Sequence, residues 1–416
     1  GALAACGQAA DRQTAAETAS GTPPAAEAEG AESDAAEVSA PAPRLVITYE
    51  GGVQVLDALT LALVEDIPLD GFNRLNPAGD GRHVFVSTAG GFRLLDTGVF
   101  AAAHGDHFHY YAATPVLEDG VGYPAERPGH VVPHDDLTAL FDDATGHVVV
   151  VEADDLDRVV REYTSPAAHH GVAVALPDGT LLVTEGTEES RSGLLALDQA
   201  DAVKAQSAEC PGIHGEAVAA GEAAGFGCEG GALVYADGAI RFVASPDPDG
   251  QITSLAGSED SAVLLGNYQQ AGSEQPSTKV SLVDTAAGEI KTVDLGTPYS
   301  GRGLSTRPDG AALVLGTDGK LHVIDPATAQ ETAAYQVIDP FTVPEDWQAP
   351  VPGVTMLAGM AYVTAPDAKT IHIVDPATGK IWRSGALTVT PNEVAGATGE
   401  GAGEHEHDHE GEEDAE

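Results

Sequence analysis

The feature that most limits what this chain can become is a phrase repeated along it: a short apolar run, then an acidic residue, then small or turn-forming residues. The acidic residue is Asp57 in VQVLDALT, Asp96 in FRLLDTG, Glu152 in VVVVEAD, Asp198 in GLLALDQA, Asp284 in VSLVDTAAGE, Asp325 in LHVIDPATAQ and Asp375 in IHIVDPATGK. A degenerate copy, AIRFVAS, surrounds Phe242. The copies fall roughly 40 to 55 residues apart, the length of one four-stranded propeller blade, and no helical period of useful length intervenes. Turns rich in Pro, Asp and Gly sit inside NRLNPAGDGRHVFV, GVAVALPDGTLLV and GLSTRPDGAALVL, where they suit the hairpin between the inner strands of a blade. The predicted fold is all-β. It is a single β-propeller over residues 44–389, of eight blades with seven as the alternative, flanked by disordered N- and C-terminal tails.

The 416 residues carry a formal net charge of −46. Phosphate backbones need clustered Lys and Arg, which this chain lacks, so nucleic acid is excluded as a partner and cations become the natural ligands. No apolar stretch reaches the roughly 18 to 20 residues of a membrane span. Leu3-Ala4-Ala5-Cys6 resembles the end of a lipoprotein signal peptide, so residues 1–6 read as its remnant and Cys6 as the lipidation site. Residues 7–43, nearly all Ala, Glu, Gly, Thr, Ser, Asp and Pro, cannot bury a core and read as a disordered tether. The expected setting is extracytoplasmic: a monomer on the outer face of the cell membrane, touching it only through the lipid.

Two more cysteines, Cys210 and Cys228, sit in Gly-rich loops. They read either as a disulfide formed in an oxidising compartment or as thiolates of a metal site shared with His214.

The histidines are unevenly placed. The longest interval between repeats, from Asp96 to Glu152, holds His104, His107, His109, His130 and His134. Residues two apart on a strand share a face, so His107 and His109 can direct two imidazoles at one ion while Phe108 packs on the other side. Gly105 permits the turn that brings His104 back as a third ligand, with Asp106 as a fourth ligand or as the acceptor that fixes a ring tautomer. Nitrogen ligands with a carboxylate or water suit zinc. A second group emerges from aligning the repeats. His170-Gly171 and His214-Gly215 open equivalent innermost strands, so His169, His170 and His214, together with His134, ring one mouth of the channel. This ring either completes the first site or forms its own, and Arg302 at a matching position could anchor a carboxylate. His83, His147, His322 and His372 fall within strand patterns and read as ordinary blade residues. Residues 390–416 read as a disordered acidic tail in which His405, His407 and His409 alternate with carboxylates, suited to loose, pH-dependent metal capture.

Taken together, HGDHFHYY (104–111), PGHVVPHDD (128–136), HHGVAVALPDGTLLVTEG (169–186), CPGIHGEA (210–217), GFGCEGG (225–231) and GTDGKLHVIDP (316–326) resemble the AztD-type periplasmic zinc metallochaperones, propellers that accompany a zinc ABC importer. The likeness spans about residues 44–385. It implies a non-catalytic protein that binds Zn(II) and hands it to the transporter's zinc-specific solute-binding protein. The family's His-rich segment lies near the N-terminus, whereas here it is C-terminal. The alternative from another class is a lactonase-like, metal-dependent hydrolase on the same scaffold. The residues lean against it, because no nucleophile elbow or phosphate loop is present.

Overall fold

A computed structural model describes residues 34–120 and 122–401. Cys6, His405, His407 and His409 lie outside the described residues. Within them the regular structure is almost entirely strand, interrupted by two short 3-10 turns at Ala220–Glu222 and Pro366–Ala368. No helix among the described residues is long and apolar enough to cross a membrane.

The strands form successive antiparallel sheets, seven of four strands and one extended to five, and all but the first are built in chain order from the innermost strand outward. The sheet of Pro128–His134, Leu137–Asp142, His147–Glu152 and Asp155–Thr164 shows the grading. Its two middle strands are largely buried, whereas the outermost alternates exposed charge with a few covered residues. Middle strands read as unbroken apolar runs such as Val148–Val151 because both of their faces are covered.

Side-chain alternation closes these sheets into a ring. In the strand Arg44–Tyr49, Leu45 and Ile47 point into a cluster shared with Leu357, Tyr362, Ile371 and Ile373 of the last sheet. Val46 points the other way, against Leu75, Val84, Val86 and Leu95 of the second. Similar clusters occupy every interface between neighbouring sheets, eight in all among the described residues. The all-β propeller read from the repeats is what the chain forms.

The limits of the ring correct the boundaries drawn from composition. The innermost strand of the first sheet is Val394–Ala397, from the segment read as tail. It pairs antiparallel with Arg44–Tyr49, placing Val394 opposite Ile47 and Ala397 opposite Arg44. The ring therefore extends past residue 389. Similarly, Ala36–Val38, inside the segment read as tether, is a strand paired with His107–Ala112. Both segments are dominated by small and acidic residues, and their order comes from backbone pairing to an open edge, which composition does not register.

The long interval between the second and third repeats contains an inserted hairpin, Val99–His104 and His107–Ala112. The chain then returns to the second sheet through the two-residue strands Val116–Leu117 and Tyr123–Pro124. Further along, a disulfide joins Cys210 to Cys228, with Cα atoms 5.4 Å apart. Both cysteines are fully buried in the core between the fourth and fifth sheets.

Candidate metal centre

The inserted hairpin carries the first histidine group. Its turn places His104 opposite His107, and Gly105 there has a φ of +68°, a left-handed conformation that a side chain would strain. The three imidazoles of His104, His107 and His109 gather at the hairpin end, each offering a nitrogen within 4.8 Å of the others. The Nε2 atoms of His107 and His109 lie 3.1 Å apart. Acceptors stand behind both rings. Asp106 is 3.3 Å from His107 Nδ1 and Glu37, from the added strand, is 2.6 Å from His109 Nδ1. A carboxylate can only accept, so each Nδ1 carries the proton and each Nε2 presents its lone pair to the cluster. Asp106 thus takes the second of the two roles open to it, fixing a tautomer from outside the group.

A second group forms at the central cavity from three successive sheets. His130 comes from the innermost strand of the third sheet, His170 from the loop entering the fourth, and His214 from the start of the fifth; their candidate ligand atoms also lie within 4.8 Å of one another. His170 and His214 bring their Nε2 atoms to 2.8 Å. His170 donates from Nδ1 to the buried Asp143 carboxylate at 2.5 Å, His214 from Nδ1 to the Thr253 carbonyl at 2.6 Å, and His130 Nδ1 faces Glu216 at 3.2 Å. Each of these three rings is oriented by an acceptor, leaving its Nε2 to the group. Gly215 makes the His214 contact possible. Its φ is +70°, and a Cβ there would fall 2.4 Å from the Thr253 carbonyl oxygen itself. Burial, reinforced by the neighbouring His130, pushes the His214 imidazole down to about 4. Burial also opposes charge on His130, but the Glu216 carboxylate and Asp143 outweigh it and raise its pKa.

The two groups are distinct, so the ring of histidines forms its own centre rather than completing the hairpin's. Two members expected at the mouth do not join it. His169 is fully buried, donates from Nδ1 to the Ala167 carbonyl and meets the Thr184 hydroxyl through Nε2, both at 3.0 Å. Its ring faces the fold, not the cavity. His134 ends the strand that carries His130, about 13 Å away at the usual strand rise. There its buried ring sits between Glu222 at 2.7 Å and Glu259 at 3.3 Å. Burial opposes its charge, yet these carboxylates and Asp135 raise its pKa to about 9, and His134, Asp135 and Glu259 bring one ligand atom each within 4.8 Å of one another. His134 lines a cavity of about 510 Å³ together with Glu216, Val218, Glu259, Leu304 and Met356. Arg302 does anchor a carboxylate, that of Glu393 at 3.1 Å, just before the closing strand. His83, His147, His322 and His372 each pair within their own sheets, with Asp80, Glu162, Asp318 and Ser384.

Apart from Asp106, the sequence left the orienting groups unmarked. Glu216 lies beside a motif histidine, but Asp143, Glu37 and the Thr253 carbonyl reach their rings only through the fold.

No family model matches the chain. A zinc chaperone AztD from Citrobacter koseri is 26% identical over 364 residues, covering 84% of this chain and 84% of that protein. A crystal structure of Citrobacter koseri AztD superposes with a TM-score of 0.74 at 24% identity, over 86% of this chain and 98% of that one. The chain is AztD-like in sequence and fold. The apo form of Citrobacter koseri AztD gives a TM-score of 0.73 at 23% identity over the same shares. The AztD likeness therefore spans the propeller as a whole rather than the histidine motifs alone.

Proposed function

We propose that this chain is a non-catalytic zinc chaperone that takes up Zn(II) as cargo at the two three-histidine centres, His104/His107/His109 and His130/His170/His214. The observation that carries this reading is the shared construction of the centres. Imidazoles donate from Nδ1 to acceptor-only groups and turn Nε2 inward, the arrangement that pre-orients neutral imidazole for a metal. Three nitrogens with an open fourth position suit zinc, and a site left open is one from which an incoming protein ligand can draw the ion. Resemblance to a relative named as a zinc chaperone agrees with that chemistry.

In the fuller form of the proposal, Cys6 is lipidated and holds the protein on the outer face of the membrane. His405, His407 and His409 capture metal loosely, and the acceptor is the zinc-specific solute-binding protein of an ABC transporter. The test mixes zinc-loaded protein with that apo acceptor in the presence of a competing chelator and follows metal in all three. Transfer faster than the chelator can intercept is the expected result. Zinc reaching the acceptor only through the chelator-accessible pool would overturn the chaperone reading.

A further inference from the structure

The strand Ala36–Val38 adds nothing to the ring's core. It is three residues long, mostly exposed, and attached to the side of the hairpin that carries the first histidine group. Its register places Glu37 directly opposite Tyr111 and therefore diagonal to His109, a separation that a long side chain spans. The carboxylate does span it, standing 2.6 Å from His109 Nδ1. On the N-terminal side Asp34 ties the same segment down, accepting from the Thr114 hydroxyl at 2.6 Å and from the Thr114 backbone N–H at 3.3 Å. A three-residue edge pairing is weak alone. Its two side-chain contacts therefore matter, and one of them ends on a candidate metal ligand.

We propose that residues 34–38 are a working part of the hairpin centre. Glu37 is the positioning residue for His109, so docking of this strand and zinc occupancy of the hairpin are thermodynamically linked. With Glu37 in place, Nδ1 of His109 must donate, and its Nε2 lone pair faces His107 Nε2 at 3.1 Å. Without it, His109 is free to take the other tautomer and to rotate. Linkage is reciprocal: whatever factor the docked strand contributes to zinc affinity, zinc returns to the docking of the strand. The consequence is a metal-dependent clasp where the N-terminal segment meets the propeller, held when the hairpin is loaded and loosened when it is empty.

This inference rests on the reading that the hairpin binds zinc, and the experiment separates the two. The full chain carrying His170→Ala and His214→Ala, with His405, His407 and His409 also replaced by Ala, leaves the hairpin as the one remaining proposed zinc centre. In this background Glu37→Ala should weaken zinc binding by about tenfold, at the lower end of what the loss of a ligand's orienting partner costs, and Glu37→Gln, which keeps an acceptor, should restore part of the loss. Hydrogen exchange supplies the readout that a merely structural strand would not move. Zinc should slow exchange of the amides of residues 36–38 in the parent and leave it unchanged in Glu37→Ala. Zinc affinity within twofold of the parent in Glu37→Ala, together with exchange at 36–38 indifferent to zinc, overturns the linkage. If zinc binding survives the triple replacement of His104, His107 and His109 by Ala in the same background, the hairpin reading falls and the linkage with it.

Discussion

The Nε2 atoms of His170 and His214, separated by 44 residues of chain, face each other at 2.8 Å, each ring fixed from behind by an acceptor-only group. Zinc bonded at about 2.0 to 2.1 Å to each in tetrahedral geometry sets such nitrogens roughly 3.3 Å apart, so the pair has only a few tenths of an ångström to open when the ion enters. Asp143 is the group that aims His170. Replacing Asp143 by Ala should weaken zinc binding at this centre by roughly 10- to 100-fold while leaving the hairpin equivalent intact, as measured by chelator competition. Equal loss at both centres would contradict their independence.

His130 and His169 should separate ligand from scaffold. His130→Ala should remove one zinc equivalent and barely change thermal stability. His169→Ala should keep the zinc count and cost about 2 kcal/mol or more of stability, because it empties a fully buried position and removes the ring's hydrogen bonds to the Ala167 carbonyl and the Thr184 hydroxyl. Zinc stoichiometry and denaturant unfolding of the two variants distinguish the roles.

A buried cluster in the second sheet sets a pH window. Burial opposes charge on His83, Asp80 and Asp96, but Asp80 and Asp96 raise the histidine against the opposing charge of Arg82, while His83 lowers Asp80, and Arg82 and His83 together lower Asp96. A raised histidine stabilises fully below its unfolded value of 6.5 and loses the contribution as pH rises through its folded value. The lowered carboxylates stabilise above 3.8 and lose it as pH falls through theirs. The Tm advantage of the parent over Asp80→Asn should accordingly be greatest between about pH 4 and 6.5 and shrink on either side, as followed by calorimetry. An advantage independent of pH would show that the cluster contributes by shape alone.

The closing strand should be indispensable. A chain ending at residue 401 should unfold at the same temperature as the full chain. One ending at residue 389 should lose cooperative unfolding, because it removes Val394–Ala397 and leaves the strand Arg44–Tyr49 as an open inner edge. Thermal scans of both chains give the answer directly.

Much of this was legible because a propeller is written in its interfaces. Runs such as Val148–Val151 and Leu194–Leu197 announce strands covered on both faces, and their spacing counts the sheets. The hairpin histidines were legible because the three lie within six residues and one turn brings them together. His130, His170 and His214 were only half legible. Repeat alignment found His170 and His214, which open equivalent strands, but ranked His169 above His130. Which of two adjacent histidines faces the cavity depends on a backbone turn, and here His169 turns toward Thr184 instead. Of the orienting acceptors only Asp106, next to His107 in the chain, was legible; Glu37, Asp143 and the Thr253 carbonyl are brought to their rings by pairing and packing of distant segments.

A methyl group on Gly401 would lie 3.7 Å from both Ala101 and Phe108, so the chain leaves the propeller beside the hairpin that holds His104, His107 and His109. His405 is four residues further on, a reach of at most about 14 Å. Tail and hairpin encounter each other as parts of one molecule, at an effective concentration on the order of millimolar however dilute the protein is. On the proposed role of His405, His407 and His409 as capture ligands, passage of the ion to the hairpin is a step within one molecule, which dilution of the protein does not slow.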